Sequence, residues 1–300
     1  MSIPLLVRGV RRSYRRGWRR RPVVAVADVS FELGAGEIVC LVGAAGSGKT
    51  TLLRLGAGLE RPDAGVVRVA GEPPDGVAAR RLIGFAPREA AFPPATTVRE
   101  VLDHFARCHA GGNRERGVLV QDALEGAGLD GAGARRAASL PLAERRRLLF
   151  AQAALGERRV VVLDEPFAGL DAITRRDLGE RLTRLAAAGA ALLVSSADPV
   201  GLERVVDRVL VLRGGRLVCS APAAVLLGGR VLEVILDAPP AEPPPGFRLT
   251  PRGLETDLGR GTAEAALALC RAHRLSVRAS RIRLKTLDEA MLDPLEAPAR

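Results

Sequence analysis

Aromatic side chains are scarce in this chain, 3% of 300 residues, and lysine is scarcer, found only at Lys49 and Lys285 among basic residues that are otherwise arginine. So few rings leave no stacking platform for single-stranded nucleic acid. The four cysteines, Cys40, Cys108, Cys219 and Cys270, lie far apart and form no C-x-x-C pair. That pattern points to neither a zinc site nor a disulfide framework and fits a reducing cytosol. No apolar run approaches the roughly 18 residues of a membrane span. The best, from Ala186 to Ala197, is short and contains Gly and Ser. No apolar segment follows the N-terminal arginines, so a secretory leader is not expected. If the chain serves a membrane process, another chain must span the bilayer.

What is present is enough for a core, with 47% hydrophobic residues over a length suited to one large domain and one small one. The formal charge is +11 and the isoelectric point about 10.9. The excess is uneven: Arg8, Arg11, Arg12, Arg15, Arg16, Arg19, Arg20 and Arg21 crowd the N-terminus. Two readings of this stretch are open, a solvated arginine-rich insertion ahead of the core, or a contact with an anionic membrane surface or a partner.

Strand-like and helix-like segments alternate through the first three-quarters of the chain. Val66–Val69, Val160–Leu163, Ala191–Val194 and Val209–Leu212 read as strands, and Val98–Cys108, Leu142–Leu155 and Ala172–Leu185 as helices. This is α/β patterning with a mainly parallel core sheet flanked by helices. Val23–Leu33 alternates in a way that fits a peripheral antiparallel strand. After Gly229 the character changes: Val231–Leu236 and Leu275–Leu284 read as strands, Thr262–His273 as a helix, and Ala238–Pro245 is proline-rich and cannot be a central strand. We therefore expect two domains, 1–229 and a small α+β domain, 230–300.

The run Gly43, Ala44, Ala45, Gly46, Ser47, Gly48, Lys49, Thr50, Thr51 fits the pattern G-x-x-x-x-G-K-[ST]. It lies between a strand-like run, Glu37–Val42, and a helix-like run, Leu52–Leu55. The glycines let the backbone curl into an anion nest, and the following helix adds the positive end of its dipole. Lys49 supplies a point charge for the β- and γ-phosphates, and the Thr50 hydroxyl can hold a bridging Mg2+. Downstream, the apolar strand Val160–Leu163 ends in Asp164 and Glu165, which a buried strand delivers to the same crevice. Asp164 is then a metal ligand, usually through water, and Glu165 a general base for the attacking water.

These motifs resemble the ATP-binding cassette family over about residues 5–229, together with Asp28–Phe31, Leu163–Pro166, the D-loop Gly169-Leu170-Asp171 and Thr97–Glu100. The segment Lys285–Leu292 resembles the C-terminal domain of drug-exporter-type cassette subunits. The resemblance implies a P-loop NTPase cassette with a helical subdomain, binding ATP and Mg2+. It also implies two cassettes clamping ATP head to tail and driving a separate integral membrane permease from the cytoplasmic face. For adenine it implies an aromatic residue ahead of the first strand, here Tyr14, with Trp18 as the neighbouring choice.

Three family positions differ. The signature loop falls at Leu140, Pro141, Leu142, Ala143, Glu144, where the family has LSGGQ, and Pro141 offers neither hydroxyl nor N–H. The switch histidine position reads Ala197 in the run Ser195, Ser196, Ala197, Asp198. The glutamine expected after Pro87 is Arg88, which cannot ligate Mg2+ but can contact phosphate. Three functions stay open: an exporter-type transport ATPase, a catalytically weak regulatory ATP-binding subunit, and a soluble cassette ATPase acting on nucleic acid. The last is the least supported, and no nucleic-acid partner is expected. Tight ATP binding with weak intrinsic hydrolysis is the expectation that Pro141 and Ala197 carry.

Overall fold

The computed structural model describes residues 3–15, 22–197, 202, 204–226, 229–238, 240–251, 253–258 and 261–285. Trp18, Asp198, the arginines from Arg16 to Arg21 and the segment from Thr286 onward lie outside them. The chain divides into two compact units, Met1–Ser220 and Ala221–Arg300. This division falls ahead of the break after Gly229 expected from the sequence.

The first unit runs β1 (Leu5–Tyr14), β2 (Val23–Leu33), β3 (Ile38–Val42), α1 (Lys49–Gly56), β4 (Ala64–Val69), α2 (Val77–Leu82), β5 (Ile83–Ala86), α3 (Val98–Ala106) and α4 (Asn113–Ala127). It continues with α5 (Leu142–Ala154), β6 (Val160–Leu163), α6 (Ala172–Ala187), β7 (Ala191–Ser196) and β8 (Arg208–Arg213). The division falls within β9 (Arg216–Pro222), and the second unit adds α7 (Ala223–Leu226), β10 (Arg230–Leu236), β11 (Phe247–Thr250), β12 (Gly253–Asp257), α8 (Ala263–Ala272) and β13 (Val277–Leu284).

The core sheet has the order β5-β6-β7-β3-β8-β9, and every pairing from β5 to β8 is parallel. Strands β3, β6 and β7 are buried along their whole length, as expected for a sheet covered on both faces. The two-residue connection Gly214-Gly215, both at positive φ, closes the β8–β9 hairpin, a turn that suits glycine. The register aligns Ala86 with Leu163, Leu163 with Val194 and Val42 with Ser196. Parallel pairing therefore brings the C-terminal ends of four strands to one edge, the edge that carries the chemistry in open α/β sheets.

A second sheet, β2-β1-β4, is antiparallel and shares one hydrophobic core with β3, α1 and β7. Here the reading of the N-terminus as an insertion ahead of the core is overturned for Leu5–Tyr14. These residues form the central strand of that sheet, burying Leu5, Val7 and Val10 while Arg8 and Arg11 point outward. Helices α3, α4 and α5 pack together as a helical layer. Helix α3 begins with a reciprocal capping box between Thr97 and Glu100. In the second unit, β10, β11, β12 and β13 form an antiparallel sheet in the order β11-β12-β10-β13. Its core gathers Leu232, Val234, Leu254 and Cys270 of α8. This is the α+β arrangement anticipated for the C-terminal part.

Candidate functional site

At the C-terminal end of β3 the chain curls through Gly43–Gly48 and enters α1 at Gly48, which sits at φ 104°. A Cβ at Gly43 would lie 2.3 Å from the Leu212 carbonyl oxygen, and one at Gly48 would lie 2.1 Å from that of Ala25. Only glycine fits at either position. Gly46, also at positive φ, meets nothing within 4 Å on its Cβ side. The first intrahelical hydrogen bond runs from the Leu52 N–H to the Gly48 carbonyl. The N–H groups of Lys49, Thr50 and Thr51 precede it and remain the donors of a helix N-terminus. The Ser47 hydroxyl is buried with no hydrogen-bond partner among the described residues. A buried hydroxyl beside such a cradle fits an anionic ligand.

Lys49 is buried, and its Nζ donates to the Gly43 carbonyl at 2.7 Å and pairs with Glu165 Oε1 at 3.5 Å. Thr50 Oγ1 donates to Asp164 Oδ2 at 2.9 Å. The other oxygen of Asp164 accepts from the Ser195 hydroxyl at 2.7 Å, and the same hydroxyl accepts from the Glu165 N–H at 2.9 Å. Ser195 is fully buried at the end of β7, and Asp164 is only 4% exposed. Glu165 adopts φ 50°, which is uncommon for a residue with a Cβ and costs on the order of 1 kcal/mol. That conformation turns its carboxylate back over the phosphate loop, where Oε2 accepts from the Ala197 N–H at 3.1 Å. Beneath the loop, burial first and then the charge of Glu165 push the Cys40 thiol up to about 12, against the opposing charge of Lys49.

Lys49, Thr50, Thr51, Glu165 and Arg88 line a cavity of about 650 Å³ with Tyr14, Arg15 and Val23–Ala25. Tyr14 stands at the Thr51 end. Its hydroxyl donates to a Glu60 carboxylate and lies 3.4 Å from Thr51 Oγ1, and the Arg12 guanidinium covers the ring at 5.2 Å. A larger cleft of about 1030 Å³ runs along α6 past Arg175 and Arg184, but it contains none of these groups. Chemistry, not size, selects the site.

The departures are equally concrete. Pro141 is the N-cap of α5 and supplies no side-chain cap. Leu142 is 45% exposed, and Glu144 is paired with Arg135 at 2.7 Å within the same chain. Two further residues went unassigned in the sequence. Ser195 is one, signalled only by a hydroxyl ending an apolar strand. Arg146 of α5 is the other, the central member of Arg145-Arg146-Arg147 and the only one of the three that is buried. Its Nη1 donates to the Arg88 carbonyl, and its Nε has no partner among the described residues. Burial, then the charge of Arg88, lower the proton affinity of Arg146, while Glu89, Glu165 and Asp164 raise it.

Comparison with known proteins agrees with this geometry. The family model "ABC transporter" matches residues 26–168. Nod factor export ATP-binding protein I of Burkholderia lata is 36% identical over 217 residues, 70% of this chain and 71% of that protein. Its namesake in Paraburkholderia xenovorans is 35% identical over 215 residues, with the same 70% and 71% coverage. Among solved structures, an ATP-binding subunit of an ABC transporter superposes with a TM-score of 0.64 at 26% identity, covering 74% of this chain and 91% of that one. A dimeric ATP-binding cassette in a post-hydrolysis state with ADP and Pi has a TM-score of 0.67 at 22% identity, covering 73% and 98%, which shows the shared fold. The phosphate loop, the carboxylate pair facing it and these likenesses converge: the chain belongs to the ABC transporter family as an ATP-binding subunit, an ATPase coupled to transport.

Proposed function

We propose that residues 1–229 act as the nucleotide-binding domain of an exporter-type transporter and residues 230–300 as an accessory domain. In this reading the cassette sits on the cytoplasmic face of the membrane, paired with a second cassette and docked on an integral permease. The export names of the relatives support the direction. Among the described residues no helix is long and apolar enough to cross a membrane, and in this reading the permease supplies the span.

ATP lies along the cavity with its adenine against Tyr14 and its phosphates over Gly43, Ala44, Ala45, Gly46, Ser47, Gly48, Lys49, Thr50 and Thr51. The pair Thr50 and Asp164, 2.9 Å apart and all oxygen at their facing atoms, fits Mg2+. When bound, that ion would neutralise charge on the β- and γ-phosphates. Lys49 holds the terminal phosphates as a point charge. Glu165 orients a water and takes its proton, and the Ala197 N–H keeps the carboxylate turned toward the loop. The observation that carries the reading is the unbroken chain from Thr50 through Asp164 and Ser195 to Glu165. Glu165→Gln in the complex with the permease should lower single-turnover hydrolysis by roughly 10²–10⁴ while ATP still binds. Unchanged turnover would sink the assignment of the base.

A second reading, a weakly hydrolysing regulatory subunit, is favoured by Pro141 and Ala197. In a dimer with an ordinary cassette, the phosphate loop of this chain would receive a good cap, while the partner's ATP would be capped by a turn that has no serine and no glycine. In a homodimer both sites would carry every defect.

A further inference from the structure

Strands β5 and β6 run in parallel with Ala86 opposite Leu163, and the Asp164 N–H donates to the Ala86 carbonyl at 2.9 Å. Arg88 and Glu165 each lie two residues past those paired ends, so they leave the sheet side by side. Both line the cavity, in which Lys49 pairs with Glu165 at 3.5 Å. Besides Arg15, the cavity therefore carries two cations, Lys49 and Arg88, and one carboxylate, Glu165, in the proposed catalytic role. A terminal phosphate would be read there.

Behind Arg88 stands Arg146. It is only 8% exposed, and a buried guanidinium is costly unless it is fully paired. Yet the described structure leaves Nε unpartnered and uses Nη1 to hold the backbone of Arg88 through its carbonyl. The placement is rigid. A Cβ on Gly84 of β5 would lie 1.7 Å from the Ala153 carbonyl of α5, so strand and helix touch through their main chains. A neutral side chain of similar length would serve packing at lower desolvation cost. A second cation behind the first makes sense if an anion with more than one negative charge completes the cluster.

Resting on the Mg-ATP reading of this cavity, we propose that Arg88 is a specificity-determining residue that distinguishes ATP from ADP by contacting the γ-phosphate, and that Arg146 positions it. Arg88 adds in cis a charge at the terminal phosphate where the sequence has no switch histidine. A planar guanidinium suits this task, since it offers two parallel donors to a phosphoryl group. Arg146 does not touch the nucleotide. It fixes the main chain from which Arg88 projects.

The test is calorimetric titration of the full-length chain with Mg-ATP and Mg-ADP at fixed ionic strength, for wild type, Arg88→Gln, Arg146→Gln, the double variant and Lys49→Ala. Loss of a charged hydrogen bond predicts that Arg88→Gln weakens ATP about tenfold or more and leaves ADP within about twofold. Arg146→Gln should lower the ATP-to-ADP affinity ratio in the same direction, and the double variant should match Arg88→Gln, since both act through one side chain. A purely structural Arg146 would weaken both nucleotides together. Should Arg146→Gln fail to fold, the exposed Arg88 variant still decides the matter, with its ADP affinity as the control for an intact fold. Equal loss of ATP and ADP affinity in Arg88→Gln, or loss of neither, overturns the proposal while a Lys49-dependent site stands. Absence of binding in wild type, with Lys49→Ala no different, overturns the nucleotide reading and this inference with it.

Discussion

Two regions of this cassette, the phosphate loop and the turn before α5, are built to different standards. At the phosphate loop, direct hydrogen bonds join Thr50, Asp164, Ser195, Glu165 and the Ala197 N–H, Lys49 pairs with Glu165, and the buried Ser195 ties Asp164 and Glu165 to each other. At the signature turn, Pro141 caps α5 with its carbonyl alone, Leu142 faces solvent, and Glu144 spends its charge on Arg135. In the proposed reading the first region binds ATP with its own chain, and the second acts only on another chain's ATP. Change in the second should therefore leave the first undisturbed, because among the described residues no hydrogen bond of the phosphate site runs through residues 140–144.

That contrast can be broken by repair. Restoring Pro141→Ser, Leu142→Gly and Ala143→Gly together should raise hydrolysis at the partner cassette's site by roughly 10²–10³, the scale of a recovered transition-state donor. ATP affinity at this chain's own loop should stay put. Single-turnover assays on a mixed dimer, with Glu165→Gln silencing this chain's own site, would read the partner's site alone. No increase would mean that the capping defect lies elsewhere.

Damage to the other end should be felt as stability before it is felt as rate. Ser195→Ala strips the hydroxyl that satisfies one oxygen of Asp164 and the Glu165 N–H, at a cost of about 1–3 kcal/mol. Chemical denaturation would show it as a lower midpoint with an unchanged slope. A comparable loss from Leu142→Gly would contradict the contrast, since Leu142 is nearly half exposed. The smallest effect is one of reactivity. Cys40, whose thiol burial keeps protonated to about pH 12, should resist alkylation at pH 8 while the exposed Cys108 labels. Peptide mapping after brief labelling would check it, and early modification of Cys40 would mean that the floor of the phosphate loop opens.

Most of the core was legible in the sequence because its strands are short, apolar and bounded by turn residues. β2 and β6 match their expected limits, and α5, α6 and β8 differ by a residue or two at their ends. β1 was not legible as a strand. Its alternation is interrupted by register shifts around Gly9, which sits at φ 59°, so Val7 and Val10 are both buried although three positions apart. The arginines between them then dominate the pattern. α4 was hidden for another reason: it buries only Val120, Leu124 and Ala127 and carries two glycines, Gly117 and Gly126. Within the site, the loop and the carboxylates were legible because each motif is contiguous. Ser195 and Arg146 were not, because their meaning depends on which strand end and which helix face Asp164 and Arg88 meet.

The walls of the phosphate loop are peptide oxygens: the carbonyls of Leu212 and Ala25 close against Gly43 and Gly48, and the Gly215 N–H binds the Ser47 carbonyl at 2.9 Å. A socket shaped by main chain is largely blind to side-chain drift. Substitutions at 88 and 197 can change the chemistry offered to a ligand without altering the socket's shape, while 141–143 are not among the residues that line the cavity. Such a cassette can lose turnover by degrees, passing from motor to sensor, while the nucleotide it binds stays the same.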